Sequence, residues 1–277
     1  MPAFYPKISC IIPTCDRPGL LARALGTVLR QTLAPHEIIV VNNGKDKTRL
    51  PADMADRVKV ADIMPYAGVA QARNFGAFLA AGKYLAFLDD DCQWNEKYLE
   101  NAGGELAKGA ECVLSGQYHM REGKLVPWKI PTGRVKPEVL LVSNPGAGGP
   151  NIVIARDLFF RVRGYDVKLP PSEDKALVLE ILRLGMEIPV LPDNAVIDGE
   201  QEGVRLTNHH TLAEGVFQFT RKYRHLMNRE QYFFNRWKMA KYGGKKFAKY
   251  FWGRMFRLER FWRKLLWCIP LEAVIKF

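Results

Sequence analysis

Short apolar runs alternate with stretches of helical periodicity along the first hundred residues. Lys7–Pro13 (KISCIIP) is an Ile-rich run bounded by Pro6 and Pro13, the pattern of a buried parallel strand. From Arg17 to Gln31, apolar residues at Leu20, Leu21, Ala24, Leu25, Val28 and Leu29 mark one face of a helix, with Asp16 placed to cap it and Pro18 in its first turn. Glu37–Val41 (EIIVV) predicts a second buried strand ending at Asn42-Asn43-Gly44, and Val58–Ala61 a short third. Gly68–Ala81 reads as a helix ending near Gly82. Lys83–Leu88 (KYLAFL) reads as a strand that runs straight into Asp89-Asp90-Asp91. Strands and helices alternating at this spacing predict a doubly wound, mostly parallel α/β sheet.

Beyond residue 110 the pattern loosens. Glu111–Tyr118, Lys124–Lys129, Asn151–Ala155 and Glu187–Leu191 predict strands, while Arg156–Arg163, closed by Gly164, and Glu173–Leu184, closed by Gly185, predict helices. Val139–Pro150 holds a Gly-rich stretch that predicts flexibility. From about Thr211 the chain reads as helices with a break at Gly243-Gly244. No internal repeat or low-complexity tract interrupts it.

The 277 residues, 48% of them hydrophobic, suffice for one large α/β domain with a smaller appendage. Cys10, Cys15, Cys92, Cys112 and Cys268 are odd in number and scattered, which argues against a disulfide framework or a zinc site and fits a reducing compartment. The first residues lack a secretion-signal pattern, and no run of about 18 uncharged apolar residues predicts a spanning helix. Charge divides the chain in two. Residues 221–277 hold 16 Lys+Arg against 3 Asp+Glu and 15 of the 31 aromatics, whereas the first 220 residues hold 25 basic and 26 acidic side chains.

The acidic triplet is the first chemical signal. In an open α/β sheet, ligands bind outside the carboxyl ends of the strands, where Asp89, Asp90 and Asp91 are expected to lie. Three adjacent carboxylates repel one another, and a hard divalent cation relieves that repulsion. The plainer alternative is a solvated turn or a cap for a helix starting near Asn95.

Ordered motifs add to this. Ile8–Arg17 (ISCIIPTCDR), Gln31-Thr32, Glu37–Gly44 (EIIVVNNG), Gly68–Gly76 (GVAQARNFG) and Ala81–Asp91 (AGKYLAFLDDD) are followed by Gly164-Tyr165-Asp166, Ser172-Glu173-Asp174 and Leu182-Arg183-Leu184-Gly185. Over roughly residues 7–198 the series resembles bacterial glycosyltransferase family 2. The resemblance implies the GT-A fold over residues 1–210, with a nucleotide-binding half over about 1–110 and an acceptor half over about 111–210. It further implies transfer, with inversion, from a nucleotide diphosphate sugar, a UDP-sugar foremost, assisted by Mn²⁺ or Mg²⁺.

Under that resemblance Pro13, Thr14, Asp16 and Arg17 line the donor pocket, and Asn43 stands near the position facing the base. Arg73 reaches ribose or diphosphate, Asp89 faces the ribose with Asp90 beside it, and Asp91 ligates the metal. Asp174, with Glu173 adjacent, matches the catalytic base. His209 or His210 falls where relatives place a late histidine that contacts metal or diphosphate. Each position has a plainer alternative: helix capping for Glu173-Asp174, a surface ion pair for Arg73, a loop surface for the histidines and a packing thiol for Cys92. Asn42-Asn43-Gly44 also departs from the Asp-Asp-Gly common in the family, leaving an amide rather than a carboxylate toward the base. Behind Glu173-Asp174, Ala176 and Glu180 occupy places where the family often has Asp and Arg.

Residues 211–277 lie outside the resemblance. Within Lys245–Leu266, apolar residues at Phe247, Phe251, Met255, Leu258, Trp262 and Leu265 fall at helical spacing among Lys249, Arg257, Arg260, Arg263 and Lys264. Helix packing accounts for part of this stripe. The net charge favours an anionic membrane surface, with nucleic acid the disfavoured rival. The combined expectation is a cytoplasmic enzyme, peripheral on the inner face of the cell membrane, that serves polysaccharide biosynthesis with a lipid-linked or polysaccharide acceptor. The alternatives are a nucleotidyltransferase, for which Pro13-Thr14-Cys15-Asp16 supplies no Gly-rich phosphate loop, and a non-catalytic nucleotide-sugar or nucleic-acid binding module. A dinucleotide-dependent dehydrogenase lacks its G-x-G-x-x-G here.

Overall fold

The computed structural model describes residues 6–122, 124–129, 135–169, 171–198, 209–244 and 252–261, which divide into two units. The first comprises Met1–Leu140, Asn144–Val167 and Glu173–Gly203, and the second Leu141–Ser143, Lys168–Ser172 and Val204–Phe277.

The first unit opens with β1 (Ile8–Thr14), α1 (Pro18–Leu29), β2 (Glu37–Asn42), α2 (Ala52–Ala55), β3 (Lys59–Asp62), α3 (Val69–Leu79) and β4 (Tyr84–Phe87). Every residue of β1 and β4 is buried, as a parallel strand covered on both faces requires. β5 (Cys92–Trp94), α4 (Tyr98–Ala107), β6 (Cys112–Arg121), β7 (Lys124–Lys129), α5 (Pro137–Leu140), β8 (Ile152–Ala155), α6 (Arg156–Arg161), α7 (Glu173–Arg183) and β9 (Val190–Asp198) follow. One sheet runs β3-β2-β1-β4-β8-β6-β9-β5, with β7 paired to β6. Pairing is parallel through β3-β2-β1-β4, turns antiparallel at β8 and is parallel again between β6 and β9. The result is a GT-A-like mixed sheet flanked by helices, whose N-terminal half has the parallel character predicted from its apolar runs. Its carboxyl edge gathers Thr14, Asn42-Asn43 and the segment after Phe87 on one side of the unit.

Three local expectations are corrected. Asp16 does not cap α1; Arg17 occupies the cap position without a side-chain hydrogen bond to the helix's first turn, while Pro18 opens the helix as predicted. The Gly-rich segment is tied down rather than flexible. Asn144 Oδ1 accepts from the Gly146 and Ala147 amides, and Asn151 Nδ2, fully buried, donates to Ser115 O and Gly146 O. The last strand starts later and runs further than Glu187–Leu191. It passes through Pro192-Asp193-Asn194, where Asn194 Nδ2 donates to Tyr98 O and Ser115 Oγ. Gly164 (φ +64°) and Gly185 (φ +77°) close α6 and α7 in the left-handed conformation that glycine adopts without strain.

The second unit contains α8 (His209–Tyr223), α9 (Arg229–Tyr242) and α10 (252–261). Asn228 and Gln231 form a reciprocal capping box at the start of α9. Asn235 and Lys238 on α9 donate to the carbonyls of Leu141 and Val142 at 2.8 and 2.9 Å. Trp252 and Phe256 of α10 pack at a tilt against Phe233 and Phe234, and Glu259 pairs with Arg229, so one face of α10 packs inside the unit. The other face presents Arg254, Arg257, Leu258, Arg260 and Phe261 to solvent. Phe247, Phe251, Trp262 and Leu265 of the predicted stripe lie outside the described residues. Among the described residues, no helix is long and apolar enough to cross a membrane.

Candidate functional site

The carboxyl ends of β1, β2 and β4 deliver most of the predicted residues to one place. Thr14, the last residue of β1, donates through Oγ1 to Asp90 Oδ2 at 2.8 Å. Arg17, one residue before α1, reaches Asp90 and Asp91 at 3.4 and 3.3 Å. Pro13 pairs in register with Val41 inside the sheet. Asp90 is buried, and this raises its carboxyl above the ordinary range, with the Thr14 hydrogen bond and Arg17 opposing the shift. Of the three acids Asp90 points into the protein, while Asp89 and Asp91 retain more exposure.

Asp89, Asp91 and Cys92 present ligand atoms within 4.8 Å of one another. Two carboxylates are a hard donor pair suited to Mg²⁺ or Mn²⁺, so the residues fit such an ion. Cys92 is buried, with its Sγ 3.6 Å from Asp91 Oδ1.

Asn43 is held by its backbone to Thr14 and Tyr66, and its side-chain oxygen accepts the Gly68 amide at 3.2 Å. Asn42 is consumed internally, donating to Asp62 Oδ1 and Asp46 O and accepting from Gly44 N. Asp16 adopts φ +53° and takes hydrogen bonds from Tyr66 Oη and the Asp46 amide instead of capping α1. Tyr66, itself at φ +59°, thus belongs to this rim although nothing in its sequence surroundings marks it.

Arg73 links the halves of the site. It rises from α3, its side chain is 3% exposed, and its guanidinium meets Asp89 at 2.6 Å, Asp174 at 3.2 Å and Glu173 at 3.6 Å. Its face also lies 5.2 Å from the Tyr165 ring centroid. Burial opposes a charge here, but Asp89 and Asp174 foremost outweigh it and hold the guanidinium charged. A Cβ added to Gly149 would fall on the Arg73 Nη2 and Cζ atoms, so only glycine leaves room for the guanidinium at that wall. Asn74 fixes Tyr165 by bonding both its N–H and its C=O at 2.9 and 2.8 Å.

Glu173 and Asp174 open α7, in its acidic first turn. Burial above all, then Asp174 beside it, pushes the Glu173 carboxyl up to about 8 against the pull of Arg73. Asp174 is the more accessible of the two, with a quarter of its side chain exposed. The site therefore joins an acid pair facing outward from β4 to a second acid pair on α7 through one buried cation. His209 and His210 start a helix of the second unit rather than lying in a loop, and their side chains fall outside the described residues.

Comparison with known proteins bears on the family and the fold. An uncharacterised glycosyltransferase of Haemophilus influenzae is 26% identical over 184 residues, which cover 64% of this chain and 62% of that protein. The Escherichia coli UDP-Glc:alpha-D-GlcNAc-diphosphoundecaprenol beta-1,3-glucosyltransferase WfgD is 27% identical over 179 residues, 64% of this chain and 70% of that one. The fold matches S. aureus TarS 1-349 in complex with UDP-GlcNAc (TM-score 0.62, 18% identity, 85% of this chain and 71% of that chain). It also matches the mannosyltransferase PcManGT of Pyrobaculum calidifontis in complex with GDP-Man and Mn²⁺ (TM-score 0.58, 19% identity, 88% and 77%). Residues 9–159, more than half of the chain and including β1 from its second residue, β2 to β4 and the acidic triplet, match the family model itself, and the chain belongs to glycosyl transferase family 2.

Proposed function

We propose that the chain is an inverting glycosyltransferase that moves a sugar from a nucleoside diphosphate donor, a UDP-sugar foremost, to a hydroxyl of a lipid-linked or polysaccharide acceptor. One observation carries this reading: Arg73 holds Asp89, at the carboxyl edge of the sheet, and Asp174, which is 101 residues from Arg73 in sequence, on a single guanidinium. A donor-side acid and a base thereby acquire a fixed separation, which a single displacement between two bound substrates requires. A structural neighbour in complex with UDP-GlcNAc and a relative named as a glucosyltransferase acting on a diphosphoundecaprenol-linked GlcNAc support the substrate classes.

In this reading Asp174 takes the proton of the acceptor hydroxyl as its oxygen attacks the anomeric carbon. The bond to the diphosphate breaks on the opposite face, inverting that centre. Glu173 and Arg73 hold Asp174 in place. Pro13, Thr14, Asp16, Arg17 and Asn43 line the nucleotide pocket, Asp89 faces the ribose, and Asp90 anchors the triplet through Thr14. Asp91, with Asp89, would hold Mn²⁺ or Mg²⁺, which when bound supplies positive charge to the departing diphosphate. The doubly wound arrangement, the division into donor and acceptor halves, and a ligand role for His209 or His210 belong to the same proposal.

We further propose that the second unit rests on an anionic membrane at the cytoplasmic face. Three arginines share the exposed side of α10 with Leu258 and Phe261, while Glu259 of the same helix pairs with Arg229. Such a surface suits anionic headgroups more than nucleic acid, because its apolar side chains gain from the acyl boundary. Release of nucleoside diphosphate from a panel of UDP-, GDP- and dTDP-sugars, with Mn²⁺ or with EDTA, tests the enzymatic reading. Metal-dependent release from at least one donor is expected. Absence of release and of donor binding across the panel would overturn it.

A further inference from the structure

The hairpin of β6 and β7 carries a feature that the donor and base chemistry leaves unused. Its outer strand exposes Leu125, Val126 and Trp128, with Trp128 46% exposed on an edge strand that Pro127 protects from further pairing. The imidazole of His119 lies 4.6 Å from the Trp128 ring centroid, tilted by 46°. An exposed apolar patch beside the exposed Lys124, on a hairpin edge, is a surface built for contact.

Two independent threads connect it to the carboxylate site. Cys92, whose thiol touches Asp91, pairs with Asp198; Asp198 pairs with His119, and His119 with Val126. Partners in register project to one face; β7 bulges at Trp128, between the Gln117–Lys129 and Tyr118–Pro127 pairs, and the ring contact with His119 sets Trp128 beside that row. Three strand spacings put Val126 about 14 Å from Cys92. On the other side, Gly149 abuts Arg73 and Gly148 abuts the Gln117 side chain, and Gln117 pairs with Lys129, the neighbour of Trp128.

We propose that Trp128, backed by His119, is an acceptor-side carbohydrate platform on which a pyranose ring of the acceptor glycan stacks. This rests on the proposed transferase function. An indole face is broad, apolar and held by one hydrogen-bonding edge, and the C–H face of a pyranose is its natural complement. The span of about 14 Å between Val126 and Cys92 is that of a short oligosaccharide. A membrane wedge would place the same residues in lipid, and the experiment separates the two.

Saturation-transfer NMR on the full-length protein with cellobiose, maltose, chitobiose and lactose reads the contact directly. Ring-proton saturation is expected with at least one of them, lost in Trp128→Ala, weakened in His119→Ala and restored in Trp128→Phe. The UDP-with-Mn²⁺ thermal shift, measured on the same samples, reports the donor site separately. A UDP shift in the wild type without saturation for any saccharide would overturn the platform while sparing the transferase reading, and no UDP shift would strike that reading itself. Saturation unchanged in Trp128→Ala refutes the platform, as does flotation with phosphatidylglycerol vesicles that depends on Trp128 while saturation does not.

Discussion

Replacing Gly149 by alanine adds one methyl group at the wall of the Arg73 guanidinium, and its consequence can be worked from the structure. The new Cβ would overlap Nη2 and Cζ and approach Nε to 2.8 Å, so the guanidinium must move. Nη2 makes the 2.6 Å contact with Asp89, and Nη1 the 3.2 and 3.6 Å contacts with Asp174 and Glu173. A hydrogen bond to a charged group contributes about 1.5–3 kcal/mol. Losing alignment of the Asp89 and Asp174 contacts together should raise the barrier by roughly 3 kcal/mol, a fall in kcat/KM on the order of 100-fold. Overpacking should cost a further ~1–3 kcal/mol of stability. Gly104→Ala is the matched control: Gly104 lies in α4 with no atom within 4 Å of an added Cβ, and alanine there should stabilise by ~0.5–1 kcal/mol. Nucleoside diphosphate release and urea unfolding measure both quantities. Wild-type turnover and stability in Gly149→Ala would refute the role given to Arg73.

Two further predictions follow from the charges. Burial places the Glu173 carboxyl at about 8, above its ordinary 4.5, so the folded chain holds a proton there that the unfolded chain releases. The associated stability is complete below the ordinary value and is lost as pH rises through about 8. Glu173→Gln should therefore flatten the decline of Tm between about pH 5 and 8, and an unchanged slope would contradict this. Exchanging Arg254, Arg257 and Arg260 for serine in the full chain should abolish flotation with phosphatidylglycerol vesicles while leaving Tm within a degree or so, since exposed arginines contribute little to folding; equal flotation would remove the membrane role.

The N-terminal half of the fold was legible because its signals are local. β1 and β2 are unbroken apolar runs, α1 repeats at helical spacing, and β4 leads into the triplet at the edge where ligands collect. β5 escaped notice, since three residues carry no periodicity and its identity comes only from pairing with β9. The Gly-rich stretch within 139–150 read as flexible from its glycines, yet Asn144 and the adjoining Asn151 supply the hydrogen bonds that order it, and Gly149 is small because Arg73 lies against it. Arg73 itself offered a choice between a surface ion pair and a phosphate contact. Its carboxylate partners on α7 lie 100 or more residues away, a relation no local pattern encodes. Asp16 looked like a cap because of its position before Pro18; its left-handed backbone and its bonds to Tyr66 and Asp46 redirect it to the rim.

The central claim divides labour between an acid that serves the donor and an acid that serves the acceptor. Measuring UDP affinity and UDP-sugar turnover in parallel for Asp91→Ala and Asp174→Asn, with Mn²⁺ present, tests that division most directly. Asp91→Ala should lose metal-dependent UDP binding and turnover together. Asp174→Asn should bind UDP as the wild type does and turn over at least about 10³-fold more slowly, in the range expected for loss of a general base. Full turnover in Asp174→Asn, or undiminished metal-dependent UDP binding in Asp91→Ala, would contradict it.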